Sequence, residues 1–169
     1  MKTEASLEGC RLLQVGEEVY GVACHRIDEG LYSRMRSEMR PPRSEPAPYA
    51  KLFLRHKTEP LSIWMAMALE IGRTLECPPP TDCLESRNAQ LQVHQDVTNP
   101  YPSTNALVVF SEGMDGGELV FPKLKLAVSM FDACLITFDG SKIWHGNTKL
   151  KPRTDDSWRV SVNYYLANE

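Results

Sequence analysis

The stretch LQVHQDVTNPYPSTNALVVF, residues 91–110, places two potential metal ligands next to a predicted β-strand. His94 and Asp96 stand one residue apart in a run that otherwise has the composition of a β-strand. On a strand, residues i and i+2 point to the same face, so the imidazole and the carboxylate would project together. With Cα atoms roughly 6.5–7 Å apart, both side chains could reach one metal ion. His-x-Asp occurs by chance in many strands, so the rest of the chain must supply further ligands.

The second half of the chain reads as a series of short strands. From about Asn88 onward, runs rich in β-branched and aromatic residues are separated by Gly, Pro, Asn and Asp. The runs are AQLQVHQDV, TNALVVFSE, GELVFP, LKLAVSMF, CLITFDG, KIWHGN and WRVSVNYYLA. Short strands spaced by about 8–12 residues are typical of an antiparallel sandwich or barrel.

The first half combines strands with helices. CRLLQV and EEVYGVAC are predicted to be strands that meet at Gly16, and a helix is predicted from about Asp28 to Met39. The proline-rich RPPRSEPAPY is predicted to be an exposed loop. PLSIWMAMALEIGRTL begins with Pro60 and has apolar residues at helical spacing.

Together these patterns predict one α+β domain spanning residues 1–169. Residues 88–167 would form a jelly-roll core, a double-stranded β-helix. Residues 1–87 would supply N-terminal strands and supporting helices, with the helices packed on one sheet. A chain of 169 residues that is 42% hydrophobic and 24% charged has room for one such core.

Charge and cysteine content restrict the location and partners. The net charge of −3 gives no overall case for nucleic-acid binding. Residues 34–57 are locally basic, which is compatible with phosphate contacts or with an ordinary solvated face. That region contains Arg34, Arg36, Arg40, Arg43, Lys51, Arg55 and Lys57 against Glu38 and Glu45.

The odd count of five cysteines and the absence of an apolar signal-like run predict reduced thiols and an intracellular location, nuclear or cytoplasmic. No apolar run has the length of a membrane span, so no membrane association is expected. Cys77 and Cys83 match no common zinc spacing, so structural or incidental roles are expected.

The remaining candidate site residues lie downstream. DGSKIWHGNTKL contains His145 beside Gly146, and SWRVSVNYYL contains Arg159 and Ser161, again at i and i+2. Two histidines and one carboxylate form the facial triad of non-haem Fe(II) oxygenases, which leaves open positions on the metal. A guanidinium binds a distal carboxylate through two parallel hydrogen bonds, and a serine hydroxyl adds another donor.

The order of these motifs resembles the 2-oxoglutarate/Fe(II)-dependent dioxygenase superfamily, over about residues 88–167 and with GGELVFP between the ligands. The resemblance implies Fe(II) held by His94, Asp96 and His145, and 2-oxoglutarate anchored by Arg159 and Ser161. It further implies that O2 is consumed and that a C–H bond is hydroxylated, with succinate and CO2 as co-products.

Within that superfamily, HQDVTNPYPST is similar to the TET/JBP-like branch, which oxidises methylated pyrimidines in nucleic acid. This similarity implies that Asn99 touches a target base, although a turn role before Pro100 is an equal alternative. Tyr101 would lie at the pocket rim and stack on the base; for the other aromatic candidates, Tyr49, Trp64 and Trp144, packing roles are expected. The chain lacks the cysteine-rich, zinc-binding extension of the animal enzymes.

Two other functions are left open by the residues. The compact size and acidic balance are compatible with a hydroxylase of a small molecule or of a protein side chain. A non-enzymatic β-domain that merely preserves the motif would bind no iron.

Overall fold

A computed structural model describes residues 11–15, 18–42, 51–97, 103–130 and 132–167. Two α-helices are found in these residues, α1 (Glu29–Met39) and α2 (Ile63–Leu75). The strands are β1 (Arg11–Val15), β2 (Glu18–Arg26), β3 (Lys51–Lys57), β4 (Asp82–Arg87), β5 (Ser103–Glu112), β6 (Met114–Asp115), β7 (Leu119–Phe121), β8 (Leu126–Val128), β9 (Cys134–Phe138), β10 (Gly146–Asn147), β11 (Lys151–Pro152) and β12 (Trp158–Ala167).

The strands form one large sheet and two small ones. The large sheet has the order β1-β2-β9-β5-β12-β4-β3, and its neighbouring strands are all antiparallel. A three-stranded sheet has the order β10-β7-β8, and β6 pairs with β11. The longest ladder joins β5 to β12 along their whole length.

Strand β12 shows how the sequence builds two faces from one large sheet. Its apolar residues at alternate positions are buried in a core shared with the two helices, and they are Trp158, Val160, Val162, Tyr164 and Leu166. The residues between them line a cavity on the opposite face, and they are Arg159, Ser161, Asn163 and Tyr165. This alternation follows from the period of two of an extended chain.

The helices cover the outer face of the large sheet. Tyr32, Met35 and Met39 of α1 are buried there, and Met67 and Ile71 of α2 join the same core. The other face packs against the three-stranded sheet through a second core, whose members include Leu119, Phe121, Val128, Ile136 and Phe138. The α+β prediction, with helices on one side of a jelly roll, is confirmed.

Helix starts follow from capping side chains. Asp28 accepts a hydrogen bond from the amide of Leu31 (2.7 Å) and precedes α1 as predicted. The stretch that begins with Pro60 contains α2, and Ser62 caps this helix by accepting from Met65 N (3.1 Å).

Three strand assignments differ from the sequence prediction. The predicted strand over residues 89–97 is wrong, since this segment contributes only an isolated antiparallel bridge between His94 and His145. Strands β3 and β4 were not predicted. The sequence of β4 is polar because it contains the charged Glu85, which is buried within the large sheet.

Within the described part of the chain, no helix combines the length and apolarity needed to cross a bilayer.

Candidate metal centre

Three predicted ligands converge on one point. The candidate ligand atoms of His94, Asp96 and His145 all lie within 4.8 Å of one another. Oδ1 of Asp96 is 3.3 Å from Nε2 of His94 and 3.8 Å from Nε2 of His145. Atoms at such separations can surround a common point at about 2.0–2.2 Å, the usual bond length for imidazole and carboxylate ligands. Among the described residues, this is the one cluster of its kind.

Both imidazoles are oriented by backbone carbonyl groups. Nδ1 of His94 lies 2.7 Å from the carbonyl oxygen of Gln92, and Nδ1 of His145 lies 2.9 Å from that of Ile143. A carbonyl oxygen can only accept, so each Nδ1 donates its proton and each Nε2 keeps its lone pair for a metal. Burial lowers the pKa of His145, which favours its neutral, metal-binding form.

His94 is positioned by an amide network instead of a strand ladder. Its backbone exchanges two hydrogen bonds with His145, of 2.8 and 2.9 Å. Upstream, Leu91 N donates to Oδ1 of Asn147 (2.8 Å), and Asn147 N donates to the carbonyl of Leu91 (3.1 Å). The Gln90 side chain donates to the carbonyl of Asn147 (2.8 Å). These contacts hold the segment before His94 against β10.

Asp96 is held by two groups that the sequence prediction did not include. Its amide donates to the carbonyl of Gly140 (2.8 Å), and its Oδ2 accepts from Nδ2 of Asn105 (2.8 Å). A Cβ atom at Gly140 would lie 2.3 Å from Oδ2 of Asp96 and 2.7 Å from Nδ2 of Asn105. Glycine is therefore required there for this pair to form. In the sequence, Asn105 follows two other polar residues at the start of the strand STNALVVFSE, and the spacing of the motif does not reveal its partner.

Arg159 is a buried cation that has no carboxylate partner among the residues the structure describes. Its residue exposure is 7%, and Nη2 donates to the carbonyl of Gly117 (3.3 Å). None of the ion pairs among the described residues includes Arg159, and burial lowers its pKa to about 10. A buried charge is costly unless it is paired, so this guanidinium is suited to an anionic ligand.

The backbone conformation of Gly117 accounts for one of the two glycines in the GGELVFP motif. It has a φ of +79°, and a Cβ atom there would lie 2.9 Å from Nε of Arg159. A side chain at this position would be strained and would displace the guanidinium.

The ligand cluster and Arg159 line the same cavity. Its volume is about 70 Å³. Ser161 lies on the wall, and the apolar lining consists of Leu84, Leu91, Leu107, Leu119 and Phe138. A divalent metal with one carboxylate, two neutral imidazoles and the guanidinium would carry a net positive charge, which complements a dianion.

The predicted substrate residues are only partly placed. Asn99, Tyr101 and Tyr49 lie outside the described residues, so their roles stay predictions. Trp64 stacks on His56 with ring centroids 3.9 Å apart, and it packs against the helix-side core.

The fourth aromatic candidate, Trp144, is 37% exposed, and Lys123 Nζ lies 5.9 Å from the centre of its ring. Such an arrangement is a weak cation–π contact on the protein surface.

Much of the described positive charge in residues 34–57 is paired within the protein. Arg36 and Arg40 lie 3.8 and 3.1 Å from carboxylate oxygens of Glu112. Arg55 pairs with Asp82. These pairs reduce the charge available for phosphate contacts. Arg43 and the side chain of Lys51 are outside the described residues.

Cys77 and Cys83 do not form a disulfide with each other. Neither belongs to the metal cluster. Burial raises the pKa of Cys83 to about 12, so its thiol is protonated at neutral pH.

Comparisons with known protein-family models and with curated proteins give no match. Solved structures do match. NgTET1 in complex with 5mC DNA aligns with a TM-score of 0.64 and 11% identity, over 87% of this chain and 72% of that one. A Pseudomonas putida prolyl-4-hydroxylase aligns with a TM-score of 0.60 and 16% identity, over 89% of this chain and 94% of that one. An oxidoreductase of the 2OG-Fe(II) oxygenase family from Burkholderia pseudomallei aligns with a TM-score of 0.56 and 14% identity, over 86% of this chain and 84% of that one.

The chain has the fold of the 2-oxoglutarate/Fe(II) oxygenases. Proteins that share a fold at such low identity can differ in chemistry, which depends on the residues of the cavity.

Proposed function

We propose that this protein is a non-haem Fe(II)- and 2-oxoglutarate-dependent dioxygenase that hydroxylates a C–H bond. One observation carries the proposal: a single cavity is lined both by a His94, Asp96 and His145 cluster and by the buried, unpaired guanidinium of Arg159. The first is a donor set that suits Fe(II), and the second suits a carboxylate. The shared fold with known 2-oxoglutarate oxygenases supports the same conclusion.

The residues of the site would divide the work as follows. Nε2 of each histidine and Oδ1 of Asp96 hold the metal on one side, leaving the cavity side open for other ligands. Arg159 and Ser161 bind the distal carboxylate of 2-oxoglutarate. The apolar wall keeps water away from the reacting atoms. Bound Fe(II), with 2-oxoglutarate and O2, supplies the oxidising chemistry, and succinate and CO2 are released.

For the substrate, we propose the methyl group of 5-methylcytosine or a related base in DNA or RNA. The HQDVTNPYPST segment after the ligands and the structural similarity to NgTET1, whose structure contains 5mC DNA, support this choice. Asn99 and Tyr101 are the proposed base-contacting residues. A base in a duplex would have to be flipped out at a cost of a few kcal/mol.

The second candidate is hydroxylation of a protein side chain or a small molecule. The similarity to a prolyl-4-hydroxylase, which spans 94% of that protein, supports it. The internal pairing of Arg36, Arg40 and Arg55 also supports it, because less positive surface is left for a polyanion.

The test is succinate release by purified protein supplied with Fe(II) and 2-oxoglutarate. Substrates to compare are duplex DNA, single-stranded DNA and RNA containing 5-methylcytosine, and a proline-containing peptide. Hydroxymethylcytosine detected by mass spectrometry supports the first substrate, and hydroxyproline supports the second. His94→Ala and Asp96→Ala should abolish turnover, whereas His25→Ala, on β2 and outside the cavity, should not.

A non-enzymatic β-domain makes the opposite prediction. It would bind no Fe(II) and release no succinate. The substitutions His94→Ala, Asp96→Ala and His25→Ala would then have the same effect.

A further inference from the structure

Asn105 lies at the centre of the large sheet. On β5 it is paired with Phe138 of β9 on one side and with Tyr165 of β12 on the other. Its residue exposure is 2%, and its side chain lines the cavity. Paired strands on both sides make this one of the most rigid backbone positions of the site.

The two ends of the Asn105 amide have different surroundings. Nδ2 donates to Oδ2 of Asp96 over 2.8 Å. Because an ionised carboxylate can only accept, the amide nitrogen must face Asp96. The amide oxygen Oδ1 is therefore directed elsewhere, and it is buried without a hydrogen-bond partner among the described residues. An unpartnered buried carbonyl destabilises the folded state, so stability alone does not account for this asparagine.

We propose that Asn105 is a positioning residue that makes Asp96 bind the metal through one oxygen. The hydrogen bond engages Oδ2 and leaves Oδ1 as the oxygen that faces the two imidazoles, 3.3 and 3.8 Å from their Nε2 atoms. This inference rests on the metal centre of the proposed function and concerns its coordination number.

The second carboxylate oxygen would otherwise compete for the metal. Among the described residues, the ion-pair partners of Asp96 are the two histidines, so no arginine or lysine restrains Oδ2. The backbone contact to Gly140 fixes the main chain but leaves the carboxylate free to rotate. A carboxylate that binds through both oxygens occupies an additional position, and an oxygenase needs three open positions for its co-substrates. Asn105 would keep that position open.

The test uses Asn105→Leu, which keeps the approximate volume and removes the donor. Asn163→Leu is the matched control. Asn163 lies on the adjacent strand β12, lines the same cavity and also has a buried, unpartnered Oδ1. It contributes no hydrogen bond to Asp96 among the described contacts, and it interacts with Tyr165 instead.

Co(II) titration of the metal-free proteins, followed by visible absorption, measures both affinity and coordination. Asn105→Leu should bind Co(II) roughly 10–100-fold more weakly than wild type, as is usual when an outer hydrogen bond to a ligand is lost. Its Co(II) spectrum should also change, because the number or arrangement of ligand oxygens changes. Asn163→Leu should stay within about twofold of wild type.

The melting temperature of the metal-free variants separates positioning from ordinary structural support. Asn105→Leu should melt close to wild type, since removing the unpartnered buried oxygen offsets the lost hydrogen bond to Asp96. An unchanged Co(II) affinity and spectrum, an equal loss in both variants, or a loss matched by a lower melting temperature overturns the inference. Wild-type protein that binds no Co(II) would overturn the metal centre itself, and that result is distinguishable from the others.

Discussion

Replacing Arg159 by methionine is expected to stabilise the ligand-free protein while removing its affinity for 2-oxoglutarate. Arg159 is 7% exposed and has no carboxylate partner among the described residues. Methionine has a similar reach and is apolar, so it can occupy the same space between β12 and Gly117. The substitution removes a charge that the folded state does not compensate.

The size of the effect follows from the pKa. Burial lowers the pKa of Arg159 to about 10, which corresponds to roughly 3 kcal/mol against the charged form in the folded protein. The unfolded chain holds this proton more tightly, so the penalty is fully present below about pH 10 and diminishes as the pH rises above that value. Losing the 3.3 Å hydrogen bond to Gly117 costs about 1 kcal/mol. The expected net gain near pH 7 is about 2 kcal/mol.

Urea unfolding of metal-free, ligand-free protein measures this gain. In the presence of metal, 2-oxoglutarate at a hundredfold excess over its Kd should stabilise the wild type by about 2.7 kcal/mol and the variant by nothing. During turnover, the variant should show a higher apparent KM for 2-oxoglutarate with nearly unchanged iron affinity. A variant that is less stable than wild type without ligand, or that also binds iron more weakly, would contradict this prediction.

Two other substitutions test neighbouring parts of the structure. Gly117→Ala should lower the free energy of unfolding by about 1–2 kcal/mol, because the φ of Gly117 is +79°. It should also raise the KM for 2-oxoglutarate by crowding Arg159, and an unchanged KM in steady-state assays would contradict this contact. Glu85→Leu should destabilise the protein by about 3–5 kcal/mol in urea unfolding, because it leaves His56 and the largely buried Arg87 without their shared carboxylate. A loss of stability below about 1 kcal/mol would show that this network contributes little.

The fold class and the position of the candidate site could be predicted from the sequence where the spacing of apolar residues and the types of ligand residue indicate the same arrangement. The alternation of WRVSVNYYLA predicted a strand with two different faces, and the ligand types predicted a shared site. The segment around His94 misled the prediction, because alternation in LQVHQDV imitates a strand. Its position is set by the side chain of Asn147, more than fifty residues away, which no local pattern reveals.

Two parts of the site depend on contacts between distant residues. Asn105 meets Asp96 only after β5 is placed in the sheet, and the same is true of Gly140. Within the described part of the chain no carboxylate pairs with Arg159, and this too is a property of the assembled interior. Motif spacing indicated which side chains to consider as ligands, whereas tertiary packing decides how these side chains are oriented.

The two faces of β12 make this strand intolerant of a change in length. Deleting or inserting one residue near Val160 would exchange the faces beyond that point. The side chains that now line the cavity (Ser161, Asn163, Tyr165) would turn towards the helices, and those of the helix-side core (Val162, Tyr164, Leu166) would turn towards the cavity. The protein would lose its hydrophobic contacts and its binding groups in one step. Point substitutions at the cavity-facing positions avoid this coupling, since they leave the helix-facing residues in place. Variation in substrate preference can therefore accumulate along β12 by side-chain replacement, but not by insertion or deletion.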